Sequence, residues 1–119
     1  MTRARVLIVA AVVAIFVIGV AYLTGRGTGG GGSAYAVNVS VTAGKSMFPQ
    51  NLRAKQSDTL TINIKSDIDG EVHLHGYDIA FNAKAGQVVS HTFKADKTGT
   101  FDIEWETTGK LLGDLTVSP

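Results

Sequence analysis

The sequence predicts one all-β domain, a sandwich or barrel, exported on a single N-terminal membrane segment. Three observations carry this. Apolar residues alternate with polar ones in short runs separated by Gly- and Asp-containing turns. No window of eleven or more residues in 34–119 shows helical periodicity. The front of the chain is an 18-residue apolar run, residues 6–23, without a charge or a proline.

The 119 residues divide into residues 1–24, a membrane anchor; 25–33, a glycine-rich linker; and 34–119, the folded domain. As a helix, the apolar run would span roughly 27 Å, close to the hydrocarbon thickness of a bilayer. Arg3 and Arg5 precede it, and Tyr22 stands near its far end. The positive-inside rule then places the N-terminus in the cytoplasm and the domain outside, as a single-pass plasma-membrane protein. A signal peptide cleaved after Ala21 is the alternative, favoured by Gly19-Val20-Ala21. Both export the domain, and the lipid bilayer is a partner through residues 6–23 in the first. The linker has nothing to bury and should behave as a coil roughly 15–18 Å from end to end.

Composition excludes several functions. There is no Cys, so disulfides, zinc–thiolate sites and thiolate nucleophiles are ruled out. The whole chain carries +1, but residues 34–119 hold eight Lys and Arg against ten Asp and Glu, near −2 with histidine neutral. Scattered charge of that sign offers no footprint for nucleic acid. Ser57, Ser66 and Ser90 lack a nucleophile-elbow context. The chain is therefore expected not to be an enzyme.

The strands can be followed in order. Tyr35, Val37, Val39 and Val41 alternate with Ala36, Asn38 and Ser40. Leu60, Ile62 and Ile64 alternate with Thr61, Asn63 and Lys65. Asp67-Ile68-Asp69-Gly70 is a turn, because Asp bonds locally and Gly accepts positive φ. Residues 71–81 are expected to form one strand bent at Gly76. Ala85-Gly86 turns the chain, and Val89, His91 and Phe93 share one strand face. Asp96-Lys97-Thr98-Gly99 turns it again before Phe101, Ile103 and Trp105, which alternate with Asp102, Glu104 and Glu106. After Thr108-Gly109-Lys110, Leu115 and Val117 close the last strand.

His73-Leu74-His75 is the sharpest chemical signal. In a strand, residues i and i+2 face the same way, about 6.6 Å apart. Two imidazoles so placed can share a metal, and imidazole suits copper and zinc. Glu104 and Glu106 form a same-face pair on a late strand and Glu71 extends the histidine face, which makes a His73, His75 and carboxylate site conceivable for copper(II) or zinc. A solvated strip opposite core-facing Val72 and Leu74, with no metal, is the plainer alternative. His91 reads as a hydrogen-bonded packing residue at an inward or edge position. Met47, in Ser46-Met47-Phe48-Pro49, reads as a plug for the end of the sandwich, with a soft axial ligand as its alternative.

Leu52, Asp58-Thr59-Leu60-Thr61-Ile62, Glu71-Val72-His73-Leu74-His75-Gly76-Tyr77-Asp78 and Ala85-Gly86 stand in a telling order. Phe93-Lys94-Ala95-Asp96, Gly99-Thr100-Phe101-Asp102-Ile103 and Gly113-Asp114-Leu115-Thr116-Val117 complete it. This series resembles the cupredoxin-like domains of exported copper proteins, of cytochrome oxidase subunit II and, most closely, of small bacterial envelope proteins. The resemblance covers nearly all of residues 34–119 and implies a Greek-key β-sandwich. It also implies that His75 matches the family's first copper-ligating His. The family's Cys, second His and Met come from the loop before the last strand. Here that region reads Trp105-Glu106-Thr107-Thr108-Gly109-Lys110-Leu111-Leu112 and holds none of them. A blue-copper centre needs a thiolate, so electron transfer by the family's mechanism is not expected, and Trp105 is expected to fill the vacated place. The reading is a tethered extracytoplasmic binding module that holds a transition metal through His73 and His75 or docks with another envelope protein. The alternative is a metal-free structural or interaction domain.

Overall fold

The computed structural model describes residues 32–119. The expected membrane segment, residues 6–23, and the linker up to residue 31 lie outside the described residues. Nine strands follow in chain order: β1 (Ala34–Thr42), β2 (Ser46–Phe48), β3 (Asn51–Lys55), β4 (Thr59–Ser66), β5 (Gly70–Leu74), β6 (Ile79–Ala83), β7 (Val88–Lys94), β8 (Gly99–Trp105) and β9 (Lys110–Ser118). They form two sheets ordered β2-β1-β4-β7 and β3-β9-β8-β5-β6. The chain passes between the sheets after β2, β3, β4, β6 and β7. Two pairings are parallel, β1 with β4 and β3 with β9; the others are antiparallel.

The alternation dictates which faces meet. Val39, Leu60, Ile62 and Ile64 of the first sheet pack on Val72, Leu74, Ile103, Leu115 and Val117 of the second, all buried. Burying a side chain of this kind is worth about 1.5–3 kcal/mol, so the period-2 pattern selects both register and face. Turn residues tie the ends. The Asp67 carboxylate accepts from the Ala43 amide at 2.7 Å, and that of Asp69 from the Ala85 amide at 2.8 Å.

The start of the domain is clamped. Asp58, 6% exposed, accepts from the amides of Ser33 at 2.9 Å and Lys55 at 2.8 Å. Ser33, which composition groups with the linker, is thus hydrogen-bonded to the domain. Beside it the Tyr35 hydroxyl donates to the Arg53 carbonyl at 2.6 Å. Burial, then the negative charge of Asp58, holds the Tyr35 phenol above its usual pKa. A raised folded-state pKa means stability that is complete below the unfolded value of about 10 and is lost as pH rises through the folded one. Melting temperature should therefore fall above about pH 10, and Tyr35→Phe should fall less. An equal decline in both proteins would remove Tyr35 as a cause.

One expectation is corrected. Residues 71–81 are not a single bent strand but two, β5 and β6, paired antiparallel with Val72 opposite Phe81 and His73 opposite Ala80. The reversal uses positive φ at Gly76 (83°) and Asp78 (54°). A Cβ on Gly76 would lie 2.2 Å from the Phe101 ring, so only glycine fits there. Tyr77 anchors the turn. Its ring packs on Phe93 and Phe101, its hydroxyl donates to the Lys97 carbonyl at 2.7 Å, and the Lys97 ammonium donates to the Gly76 carbonyl at 2.8 Å. Burial raises the Tyr77 pKa, a hydrogen bond with the Lys97 backbone opposes that, and Asp96 adds to it. A period-2 pattern continues across a tight hairpin as easily as along a strand, which is why the sequence conceals this turn.

Candidate metal centre on the outer face of the second sheet

β5 lies between β6 and β8. Val72 faces Trp105 and Leu74 faces Ile103 on the core side, so the residues between them point outward: His73 stands directly opposite Glu104. His75 continues that face just beyond β5, its amide donating to the Asp102 carbonyl at 2.9 Å. Glu106 follows β8, its amide donating to the Glu71 carbonyl at 2.9 Å. The outer face therefore gathers histidines from one strand and carboxylates from its neighbour.

The two imidazoles meet edge to face, with centroids 4.4 Å apart and planes at 76°. One ligand atom from each of His73, His75 and Glu106 lies within 4.8 Å of the others. His73 Nδ1 is 3.7 Å from Glu106 Oε2, and His75 Nε2 is 3.5 Å from Glu104 Oε1. Both separations exceed the usual hydrogen-bond range. Both ring nitrogens are buried and have no hydrogen-bond partner. A buried polar atom normally finds one, because leaving it unmatched costs about 1–3 kcal/mol. The other nitrogen of His73, Nε2, is matched: it lies 3.1 Å from Asp78 Oδ1.

All four site residues expected from sequence, His73, His75, Glu104 and Glu106, thus stand on one face, with three of them converging and Glu104 beside His75. Asp78 was not among them. Its signal was the Gly76-Tyr77-Asp78 run, which reads as part of a strand rather than as a turn that folds back over His73.

The remaining candidates lie elsewhere. Met47 is in the core, with its sulfur 3.0 Å from where a Gly113 Cβ would lie, on the side of β5 away from the histidines. It serves as the plug and not as a ligand to this group. His91 pairs with Ile62 on the edge strand β7 and sets its ring edge-on against Phe81 at 4.9 Å. The edge position and an aromatic contact are there, but His91 is exposed and the expected hydrogen bond is not found among the described residues. Trp105 is buried, with its indole against the backbones of Gly44 and Gly70.

No protein-family model and no curated protein matches the chain. Among solved structures, the Cu(I)-bound metal-binding domain of the Cu(I)-exporting P-type ATPase CopA of Streptococcus pneumoniae D39 superposes with a TM-score of 0.62 at 12% identity. That alignment covers 79% of this chain and 93% of the other. An apo copper-binding protein solved by NMR matches with a TM-score of 0.60 at 16% identity, over 71% and 87% of the two chains. Auracyanin B matches at 0.53 and 14%, over 77% and 94%. The fold is cupredoxin-like. In this cupredoxin-like domain the blue-copper donor set does not fit: there is no Cys, and an indole fills the core at the end of β8. No electron-transfer step follows for it. The outer-face group of imidazoles and carboxylates is a different donor set, of a kind suited to a borderline divalent ion.

Proposed function

We propose that this chain is a membrane-tethered, extracytoplasmic cupredoxin-like module that binds a transition metal ion, copper(II) or zinc, through His73, His75 and Glu106, with Glu104 beside them. It works by binding and not by turnover. The observation that carries the reading is the pair of buried, unpartnered ring nitrogens, His73 Nδ1 and His75 Nε2, converging with Glu106. A metal ion among them would give both nitrogens and the carboxylate a partner at once. A bound ion would hold its ligand atoms at about 2.0–2.2 Å, so the side chains would close inward. Calorimetric titration of the full chain in detergent with copper(II) and with zinc tests this, with a His73→Ala/His75→Ala variant as control. Heat equal in both proteins, or none, refutes it and leaves the metal-free interaction domain.

The location rests on Arg3, Arg5 and the uncharged run of residues 6–23. The full-length chain should sediment with membranes, resist salt and come away with detergent, its domain open to protease from outside the cell. A soluble mature form starting near Tyr22 would refute the anchor and leave export standing.

A further inference from the structure

We propose that Asp78 is the positioning residue of this centre: it fixes which nitrogen of His73 carries the proton. The consequence for metal binding rests on the function proposed above; the assignment itself does not.

A neutral imidazole has one N–H and one bare nitrogen, and an ionised carboxylate can only accept. His73 has a carboxylate on each side, Asp78 Oδ1 3.1 Å from Nε2 and Glu106 Oε2 3.7 Å from Nδ1. Only the shorter is a hydrogen bond. The proton therefore sits on Nε2 and is donated to Asp78. Nδ1 is left bare, and it is the nitrogen that is buried without a partner and directed to Glu106. A metal ligand needs this state, and carboxylates in such a supporting position orient ligating histidines at many metal sites.

The backbone holds Asp78 to the task. Its φ of 54° is left-handed, a region that costs most side chains roughly 1–2 kcal/mol and that Asp and Asn tolerate better. Tyr77, wedged between Phe93 and Phe101 and bonded to Lys97, fixes the turn from the other side. Asp78 itself is almost fully exposed, 96% by side chain. Burial does not explain it; the left-handed φ favours Asp or Asn there, and the contact with His73 is what its carboxylate adds.

The test starts without metal. In the ¹⁵N-labelled full chain in detergent, at about pH 8.5 where free histidine is neutral, two-bond ¹H–¹⁵N correlations report the tautomer. His73 should carry its proton on Nε2. Asp78→Gly suits the positive φ and removes the carboxylate, so Glu106 becomes the nearer acceptor and the proton should move toward Nδ1. Asp78→Asn, whose amide can accept or donate, should fall between. Zinc affinity should drop about 10–100-fold in Asp78→Gly, the usual effect of losing such a supporting group, and less in Asp78→Asn. A wild-type His73 protonated on Nδ1 overturns the proposal. So does Asp78→Gly with an unmoved tautomer, or with a moved tautomer and wild-type zinc affinity. The expected tautomers in a chain that takes up no zinc support the assignment to Asp78 and refute the metal-binding function alone.

Discussion

Replacing Trp105 with alanine should cost about 3–5 kcal/mol, the range for emptying a core site of a large aromatic. Trp105 is 3% exposed at the end of β8, paired with Val72 of β5 and Lys110 of β9. Its indole lies so close to two backbones that a Cβ on Gly44 or Gly70 would be 2.6 or 2.0 Å from it. Those glycines cannot move in to fill the void without breaking the turn before β2 and the start of β5. With domain stabilities of about 5–15 kcal/mol, a loss of this size leaves little margin. Melting temperature should fall by about 4–8 °C for each kcal/mol in a domain of this length, measured by circular dichroism, because Trp105 is the sole tryptophan and its fluorescence is lost with it. Trp105→Phe should fall less. A Trp105→Ala melting point within a few degrees of the parent would show that the indole is not the keystone of that end.

The second large effect is on metal uptake. His73→Ala and His75→Ala should each weaken copper(II) binding by more than the roughly 10–100-fold expected for a supporting residue, and together abolish it. Each removes one of three converging ligands on an outer sheet face, so the fold should melt nearly as before. His91→Ala is the control: its ring belongs to the edge of the sandwich, against Phe81. Ligating imidazoles must be unprotonated, so metal uptake releases protons and affinity should fall as pH is lowered. The copper-loaded chain should show nitrogen coordination and no intense copper–thiolate band, since no thiolate exists. Binding that survives the double substitution would place the ion elsewhere, and a thiolate-like band would contradict the donor set outright.

Strand alternation from Tyr35 to Val41 and from Leu60 to Ile64 is enough to specify an all-β sandwich or barrel, because side-chain period is a local property of extended chain. The same rule puts His73 and His75 on one face and Val72 and Leu74 on the other. Absence of Cys rules out the blue-copper centre by composition alone. These conclusions need only residue identity and near neighbours in sequence.

What tertiary structure decided was non-local. Glu104 and Glu106 reach the histidines only because β8 pairs with β5 in the register that sets Glu104 opposite His73. That register sets Trp105 and Ile103 beside Val72 and Leu74 on the core face of the same sheet, some thirty residues away in sequence. Asp78 reaches His73 only because the chain reverses at Gly76, and period-2 alternation is blind to a tight reversal. Which ring nitrogens lie buried and unmatched depends on distances of a few tenths of an ångström between strands, set by packing that no local pattern encodes.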